Sequence, residues 1–322
     1  MRKHIDVILV KPILAIIVVN WNAGHQLRDC ILSIGRASHE GFTLSDVIVV
    51  DNGSTDDSLD RIEQLSVPVS VIHNTINKGF AAACNQGAAL ATGNYLLFLN
   101  PDTRLFEDSL SVPFAFMQEP KNRDVGIVGI QLRDHKNRIA RSCARFPTPR
   151  IFAAQALGVN RLPGLRHLST HMSDWAHDET CTVDHVIGAF YVIRRSLFES
   201  LEGFDERFFV YLEDLDLSLR ARQAGWRSVY LTDAQAFHAG GGTSAQDKSA
   251  RLFYALRSRL LYGFKHFSPA AAWGLLIITI AAEPWIRLIF ASFRGAWCDV
   301  GYTLRAYVLL IKDLPEMLAH PR

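Results

Sequence analysis

Ile13-Leu-Ala-Ile-Ile-Val-Val19, running into Asn20-Trp21-Asn22, is the stretch on which the fold turns. An aliphatic and β-branched run with no polar alternation predicts a strand buried on both faces, as in parallel sheets covered by helices. Reading outward, Leu27, Cys30, Ile31 and Ile34 recur at i, i+3, i+4, i+7 and predict an amphipathic helix over 25–36. Residues 47–50 are a second apolar strand. Asp51-Asn52-Gly53-Ser54 then turns the chain toward a predicted helix whose first turn holds Asp56 and Asp57, acids that suit a helix dipole. A third strand over 69–72, an Ala-rich helix over 79–91 and a fourth strand over 95–99 complete the alternation. The pattern predicts an α/β domain on a mostly parallel sheet flanked by helices.

In such sheets ligands sit beyond the carboxyl ends of the strands. The residues there are Asn20-Trp21-Asn22, Asp51-Asn52-Gly53-Ser54 and Asn100-Pro101-Asp102. At any one of these places Asn, Asp, Gly and Pro simply make a turn. Three at successive strand ends mark a ligand-binding edge.

The chain of 322 residues, 49% hydrophobic and 20% charged, has too much to bury for disorder and is long enough for one large domain with an appendage. Its five cysteines are odd in number and contain no C-x-x-C pair, which excludes a disulfide framework and a thiolate zinc site and points to a reducing compartment. Met1-Arg2-Lys3 followed by Ile5 to Val10 faintly suggests a leader, but Lys11-Pro12 interrupts the run and no small-residue cleavage site follows. Residues 121–166 hold ten Lys+Arg and two acids, broken by Pro147, Pro149 and Pro163. Few aromatics are interleaved, so nucleic acid is not the expected partner. A solvated basic surface and a loop facing a phosphorylated or membrane-borne partner both fit.

Four constellations carry chemistry. Asp51, at a strand end beside a glycine turn, can accept a base N–H or ribose hydroxyls. Asn77-Lys78-Gly79-Phe80 and the small residues up to Asn85 let backbone approach a ligand closely, or let a helix pack closely, while Asp102 is placed for a hard cation such as Mg2+ or Mn2+. Glu213-Asp214-Leu-Asp216 follows the aromatic run Phe208-Phe209-Val-Tyr211. There Asp216 pairs with Arg220 at i, i+4, and Asp214 is placed as a partly buried general base. Finally, His238 opens a three-glycine loop, Gly240 to Gly242, suited to closing over phosphates, and its imidazole can join Asp102 on a metal.

In order and wording these motifs resemble the inverting family 2 glycosyltransferases of GT-A fold, over roughly residues 13–245. The wording is similar to the bacterial rhamnosyltransferase branch, with Val-Val-Asn20-Trp21-Asn22, Asp51-Asn-Gly-Ser-Thr-Asp56, Asn77-Lys-Gly-Phe-Ala, Leu-Asn100-Pro-Asp102 and Phe-Phe-Val-Tyr-Leu-Glu213-Asp214-Leu-Asp216. The resemblance implies that Asp51 binds the nucleobase and that Asn77, Lys78 and Gly79 line the nucleotide pocket, with Asn20, Asn22, Asn52, Asn85 and Asn100 as further nucleotide-sugar contacts. It makes Asp102 the metal aspartate of D-x-D and His238 a second ligand of Mg2+ or Mn2+. Asp214, with Glu213 beside it, becomes the catalytic base, and Gly188, Ala189 and Arg145 face the acceptor. The chain departs at the first D of D-x-D, which is Asn100 here and leaves fewer carboxylates. The implied reaction moves rhamnose from dTDP-rhamnose to a polyprenyl-diphosphate-linked saccharide. The alternatives are another donor such as UDP-galactose, UDP-N-acetylglucosamine or GDP-mannose, or a nucleotide-binding scaffold without turnover.

The net charge of +2 hides a division. Residues 1–250 carry 25 basic and 28 acidic residues, net −3, whereas 251–322 carry 9 and 4, net +5. The longest uncharged run, Phe267 to Ala282, is 16 residues, short of the roughly 20 that a spanning helix needs. If 283–297 is helical, Trp285, Ile286, Leu288, Ile289, Phe293 and Ala296 share one side and Glu283, Arg287 and Arg294 the other, the pattern of a helix in a membrane interface. A helix packed on the catalytic domain or at a homodimer contact is the alternative. The expected organisation is a catalytic domain over 1–258 and a membrane-associating segment over 259–322, on the cytoplasmic face of the plasma membrane.

Overall fold

A computed structural model describes residues 11–240 and 247–319. The suspected leader at the N-terminus and glycines 241 and 242 of the loop after His238 lie outside the described residues. In chain order the strands are β1 (Ile13–Asn20), β2 (Thr43–Asp51), β3 (Val69–His73), β4 (Tyr95–Leu99), β5 (Thr103–Leu105), β6 (Val125–Arg133), β7 (Cys143–Ala144), β8 (Cys181–Val183), β9 (His185–Val186), β10 (Phe190–Arg194) and β11 (Arg227–His238). The helices are α1 (His25–Arg36), α2 (Phe80–Leu90), α3 (Ser111–Gln118), α4 (Pro149–Ala156), α5 (Arg195–Ser200), α6 (Glu213–Gln223), α7 (Lys248–His266), α8 (Pro269–Ile277), α9 (Glu283–Phe293) and α10 (Trp297–Ala319).

One large sheet runs β3-β2-β1-β4-β10-β6-β11-β5, with β8 on β11. The expected parallel order holds through β3-β2-β1-β4. Beyond it β10 runs antiparallel between β4 and β6, and β11 returns parallel to β6. The carboxyl ends of β1, β2, β4 and β11 therefore meet one edge of the sheet, as does the start of β10.

Helices cover both faces. Leu27, Ile31 and Ile34 of α1 and Phe114 of α3 pack on Leu14, Ile16 and Val18, while the opposite face of β1, Ala15 and Ile17, meets α2, Leu197 and Leu217. A strand sandwiched in this way has no polar alternation to show, which is why β1 reads as a continuous apolar run. Close approach explains the Ala-rich α2. A Cβ on Gly87 would stand 2.6 Å from Ile17 Cγ2, so the helix backbone lies almost on the sheet.

Two expectations need correction. No α-helix follows Ser54. Residues 52–61 form turns leading to a single 3-10 turn, Ile62–Gln64. Asp56 serves another helix, because its Oδ2 accepts from Gly24 N at 2.8 Å, and Gly24 is the residue before α1. The boundary drawn at 258/259 falls inside α7, an unbroken helix capped by the Asp247 carboxylate, and α7 packs with Phe208 and Leu215 as well as with α8 and α10.

Candidate active site

At the sheet edge, asparagines and serines build the lip from side-chain to side-chain bonds. Asn20 Nδ2 donates to Asp51 Oδ1 at 2.9 Å and to Ser54 and Ser58 Oγ at 3.0 and 2.8 Å. Asn22 accepts from Thr55 N at 2.7 Å. Asn52 donates to Asn77 Oδ1 and to the Gly79 carbonyl, both at 3.0 Å, and accepts from Lys78 N at 3.2 Å. Asp51, Asn20 and Asn52 are thus buried and joined, and the ends of β1 and β2 are fixed to the turn before α2. Asn85 sits apart from this lip. Its amide donates to Phe204 O and Glu206 Oε1 and accepts from Phe204 N, all at 2.9 Å, which makes it a brace between α2 and the 203–206 turn.

Gly79 has φ +90°, and a Cβ there would stand 2.5 Å from the Phe209 carbonyl, which accepts from Phe80 N at 2.6 Å. The 77–79 turn therefore touches the loop leading into Glu213-Asp214. That loop ends with two successive non-glycine residues in the left-handed region, Tyr211 (φ 70°) and Leu212 (φ 67°), a strained conformation that needs outside support. Support comes from α7. Ser258 Oγ donates to Val210 O at 2.8 Å, Arg257 donates to Arg207 O at 2.6 Å, and Tyr254 stacks on Phe209 with ring centroids 4.5 Å apart. One turn along α6, buried Asp216 accepts from Lys265 and His266 of α7 at 2.7 Å and from Arg220 at 2.8 Å, so the expected i, i+4 pair is present. Burial pushes the Asp216 carboxyl up, and His266, Arg220 and Lys265 more than offset it, leaving it below its ordinary range.

The adjacent carboxyls of α6 face different surroundings. Asp214 Oδ2 accepts from Gly188 N at 2.7 Å and lies 3.5 Å from His185 Nε2, while Oδ1 accepts from Leu215 N at 2.8 Å. Burial works to raise this group, but His185 and the two backbone N–H groups hold it below the usual carboxylate range, so it is ionised at neutral pH. Glu213 is buried with Oε2 unpartnered; burial first, then the Asp214 charge, push it well above its ordinary range. Asp214 has the environment of a proton acceptor and Glu213 that of a neutral acid.

His185 is the residue the motifs did not single out. Its Nδ1 is 2.9 Å from Ser218 Oγ, which is 3.0 Å from Tyr191 Oη. These buried groups form a continuous chain behind Asp214. A lone histidine on a two-residue strand carries no spacing signal, and its partners lie 29 and 33 positions away.

Gly188 and Ala189 link Asp214 to the Asp102–His238 pair. While Gly188 N holds Asp214, the Ala189 carbonyl accepts from Asn100 N at 3.1 Å and from Thr103 Oγ1 at 3.3 Å. Thr103 pairs in register with His238, whose Nε2 is 3.3 Å from Asp102 Oδ1. Asp102 and His238 therefore converge as the sequence predicts. Among the described residues no group of three or more His, Cys, Asp or Glu side chains assembles. One carboxylate and one imidazole fit a divalent cation whose remaining positions are filled by a substrate diphosphate, the usual arrangement for Mg2+ with phosphates. Arg145 lies next to β7, which pairs with β9, and its guanidinium is held by Asp174 at 2.8 Å.

The sequence model described as Glycosyl transferase family 2 matches residues 15–201. An N-acetylglucosaminyl-diphospho-decaprenol L-rhamnosyltransferase of Mycobacterium tuberculosis is 25% identical over 252 residues, 74% of this chain and 80% of that protein. A PGL/p-HBAD biosynthesis glycosyltransferase of Mycobacterium bovis is 36% identical over 121 residues, 36% of this chain and 46% of its own length. Among solved structures, a mannosyltransferase of Pyrobaculum calidifontis in complex with GDP-Man and Mn2+ superposes with TM-score 0.57 at 18% identity, covering 94% of this chain and 88% of that one. S. aureus TarS 1-349 in complex with UDP-GlcNAc gives 0.53 at 15% identity, covering 83% and 71%. With a GT-A sheet edge carrying these motifs and a family match over more than half its length, the chain belongs to glycosyl transferase family 2.

Proposed function

We propose that the chain is an inverting, metal-assisted glycosyltransferase that moves rhamnose from dTDP-rhamnose to a hydroxyl of a polyprenyl-diphosphate-linked saccharide at the membrane surface. The observation that carries this reading is the juxtaposition of Asp214 with the Asp102–His238 pair through the Gly188-Ala189 backbone. The rhamnosyl donor and lipid-linked acceptor rest on the mycobacterial relative, whose name states both the sugar and its decaprenol carrier.

Asp102 and His238 would hold a divalent cation. When bound, that cation offsets the charge gathering on the leaving diphosphate. Asp51, Asn52 and the 77–79 turn would hold the nucleoside, and the Gly188-Ala189 backbone would hold Asp214 beside the sugar-bearing side of the site. Asp214, ionised and fixed by Gly188 N, takes the proton of the acceptor hydroxyl as its oxygen bonds to C1. The C1–O bond to the diphosphate breaks with its electrons, and the nucleoside diphosphate leaves. One displacement inverts C1 and requires no protein nucleophile.

The test is a panel of nucleotide sugars incubated with the purified chain, Mn2+ or EDTA, and a lipid-linked acceptor, following nucleotide release and the product anomer. Turnover with dTDP-rhamnose and loss in EDTA are expected. Preference for a UDP- or GDP-sugar overturns the donor, a retained anomer overturns the mechanism, and nucleotide binding without release on any donor returns the scaffold reading.

A further inference from the structure

Ten of the sixteen large apolar side chains exposed among the described residues lie between Trp273 and Ile311. Helix α8, a π-helical turn (Ile278–Ala282) and α9 form one continuous rod from Pro269 to Phe293. Along it the exposed positions recur every fourth residue: Trp273, Ile277, Ala281, Trp285, Ile289 and Phe293. Trp285 is 66% and Phe293 86% exposed.

The opposite side of the rod is buried: Leu275 and Leu276 of α8 pack into the cluster formed with α7, and beyond them the inward positions Thr279 and Glu283 are polar. Glu283 is 1% exposed. Arg259 of α7 donates to both of its carboxylate oxygens and, at 3.0 Å, to Thr279 Oγ1. Arg287 donates to Glu283 Oε1 at 2.9 and 2.7 Å. A surface helix of a water-soluble protein turns its apolar stripe inward and its charges outward. In its second half the rod departs from that rule, with Glu283 turned inward against α7 while Trp285, Ile289 and Phe293 face out.

The rod is 25 residues long and apolar enough to cross a bilayer by length and composition. Crossing would pull Glu283 and Arg287 away from Arg259 and leave charges near the hydrocarbon centre, which is expensive by any scale. Lying in the plane of the surface leaves the buried ion cluster intact and removes only the outer stripe from water. At one end of that stripe Arg161 stands over the Phe290 ring, 5.1 Å from its centroid. Arg161 and Arg294 are both exposed at this end of the rod, where their guanidinium groups can take anions. A second copy of this face would bring the same arginines and the same net positive tail against it, whereas an anionic leaflet offers phosphates and hydrocarbon together. Trp273, Trp285 and Trp297 are the side chains that favour the boundary between the two.

We propose that the C-terminal helices are a monotopic anchor: the Trp273–Phe293 stripe sits in one leaflet of an anionic bilayer, the Arg259–Glu283–Arg287 cluster keeps the rod from crossing, and Arg161 and Arg294 take lipid phosphates. The proposal deepens the membrane part of the functional reading and does not depend on the sugar or the base.

The full-length chain is mixed with phosphatidylcholine vesicles, with and without phosphatidylglycerol, and floated on a density gradient. Flotation with the anionic vesicles is expected, falling at least tenfold in a Trp285→Asp/Phe293→Asp variant and severalfold in Arg161→Gln/Arg294→Gln. Both substituted pairs are exposed, so thermal unfolding and donor hydrolysis in detergent should be unchanged; their loss as well would mean that the face is needed for the fold. For topology, Cys298 and a Ser268→Cys substitution in a Cys298→Ser chain are probed in sealed spheroplasts with a membrane-impermeant maleimide. Protection of both until lysis places both ends of the rod on one side. Labelling of one end before lysis means a spanning helix and overturns the proposal. So does a vesicle-independent dimer that the double aspartate variant converts to monomer.

Discussion

Asp214, partly buried, and Glu283, fully buried, are carboxylates within the first turn of a helix, and each is held by several N–H donors, yet they belong to opposite kinds of surface. Around Asp214 the polar groups gather at the sheet edge, and the apolar side chains of α6 turn into the core. Around Glu283 the polar groups close on one another beneath the helix and the apolar ones face outward. The first arrangement leaves part of the carboxylate exposed. The second satisfies its polar groups among themselves, and its outer face is apolar and exposed. Helix α7 joins the two, since Ser258 and Arg257 hold the loop before Asp214 and, within the next turn, Arg259 holds Glu283.

The largest effect expected separates function from fold at the first carboxylate. Asp214→Asn should lower kcat by about 10²–10⁴, the usual share of a general base, with nucleotide affinity and thermal unfolding little changed. Single-turnover transfer and nucleotide titration on the same preparation measure both, and turnover within threefold of wild type would remove Asp214 as the base.

At the second carboxylate the order reverses, with stability affected before chemistry. Glu283→Ala leaves Arg259 buried and unpaired and should destabilise by about 3–5 kcal/mol. Replacing the pair, as Arg259→Met with Glu283→Leu, should recover most of that loss. Chemical denaturation in detergent reads the difference. Equal losses in single and double variants would show that the pair does not act as a unit.

Strand β1 and its asparagine lip were legible because both faces of β1 are buried and the turn residues stand directly after strands. The same local logic failed after Ser54. Asp56 looks like an acid in the first turn of the next helix, but its oxygens bind Gly24 N and Ser58, a partner 32 positions away that no periodicity reveals. His185 was silent for a similar reason. In the tail, the two sides of α9 were readable from spacing, but which side faces the protein was not. A helical pattern gives an angle between faces, and only Arg259, from a different helix, fixes the direction.

A smaller change tests the seam between the 77–79 turn and the loop before Asp214. Gly79→Ala places a Cβ where the Phe209 carbonyl stands and demands φ +90° of a non-glycine residue, a strain of about 1–3 kcal/mol. If the turn moves to relieve it, donor KM rises by roughly tenfold per 1.4 kcal/mol while kcat is largely kept. A kcat loss without a KM change would place the strain on Tyr211 and Leu212 instead.

The smallest effect distinguishes Glu213 from its neighbour. A carboxyl whose folded pKa lies above its unfolded value contributes most below the unfolded pKa, about 4.3 for Glu, and loses that contribution as pH rises toward the folded value. Wild type should therefore lose stability between pH 4 and pH 8 at this site. Glu213→Gln, which keeps the shape and cannot ionise, should match wild type within about 1 kcal/mol at pH 4 and exceed it at pH 8. Its turnover should fall by less than tenfold, because a buried neutral acid donates nothing to the acceptor hydroxyl that Asp214 does not already accept. Parallel denaturation curves across that pH range are the measurement. A Gln variant that is less stable at pH 8 than at pH 4 relative to wild type would mean that Glu213 is ionised in the fold, and the two neighbouring carboxylates would then have to share their proton during catalysis.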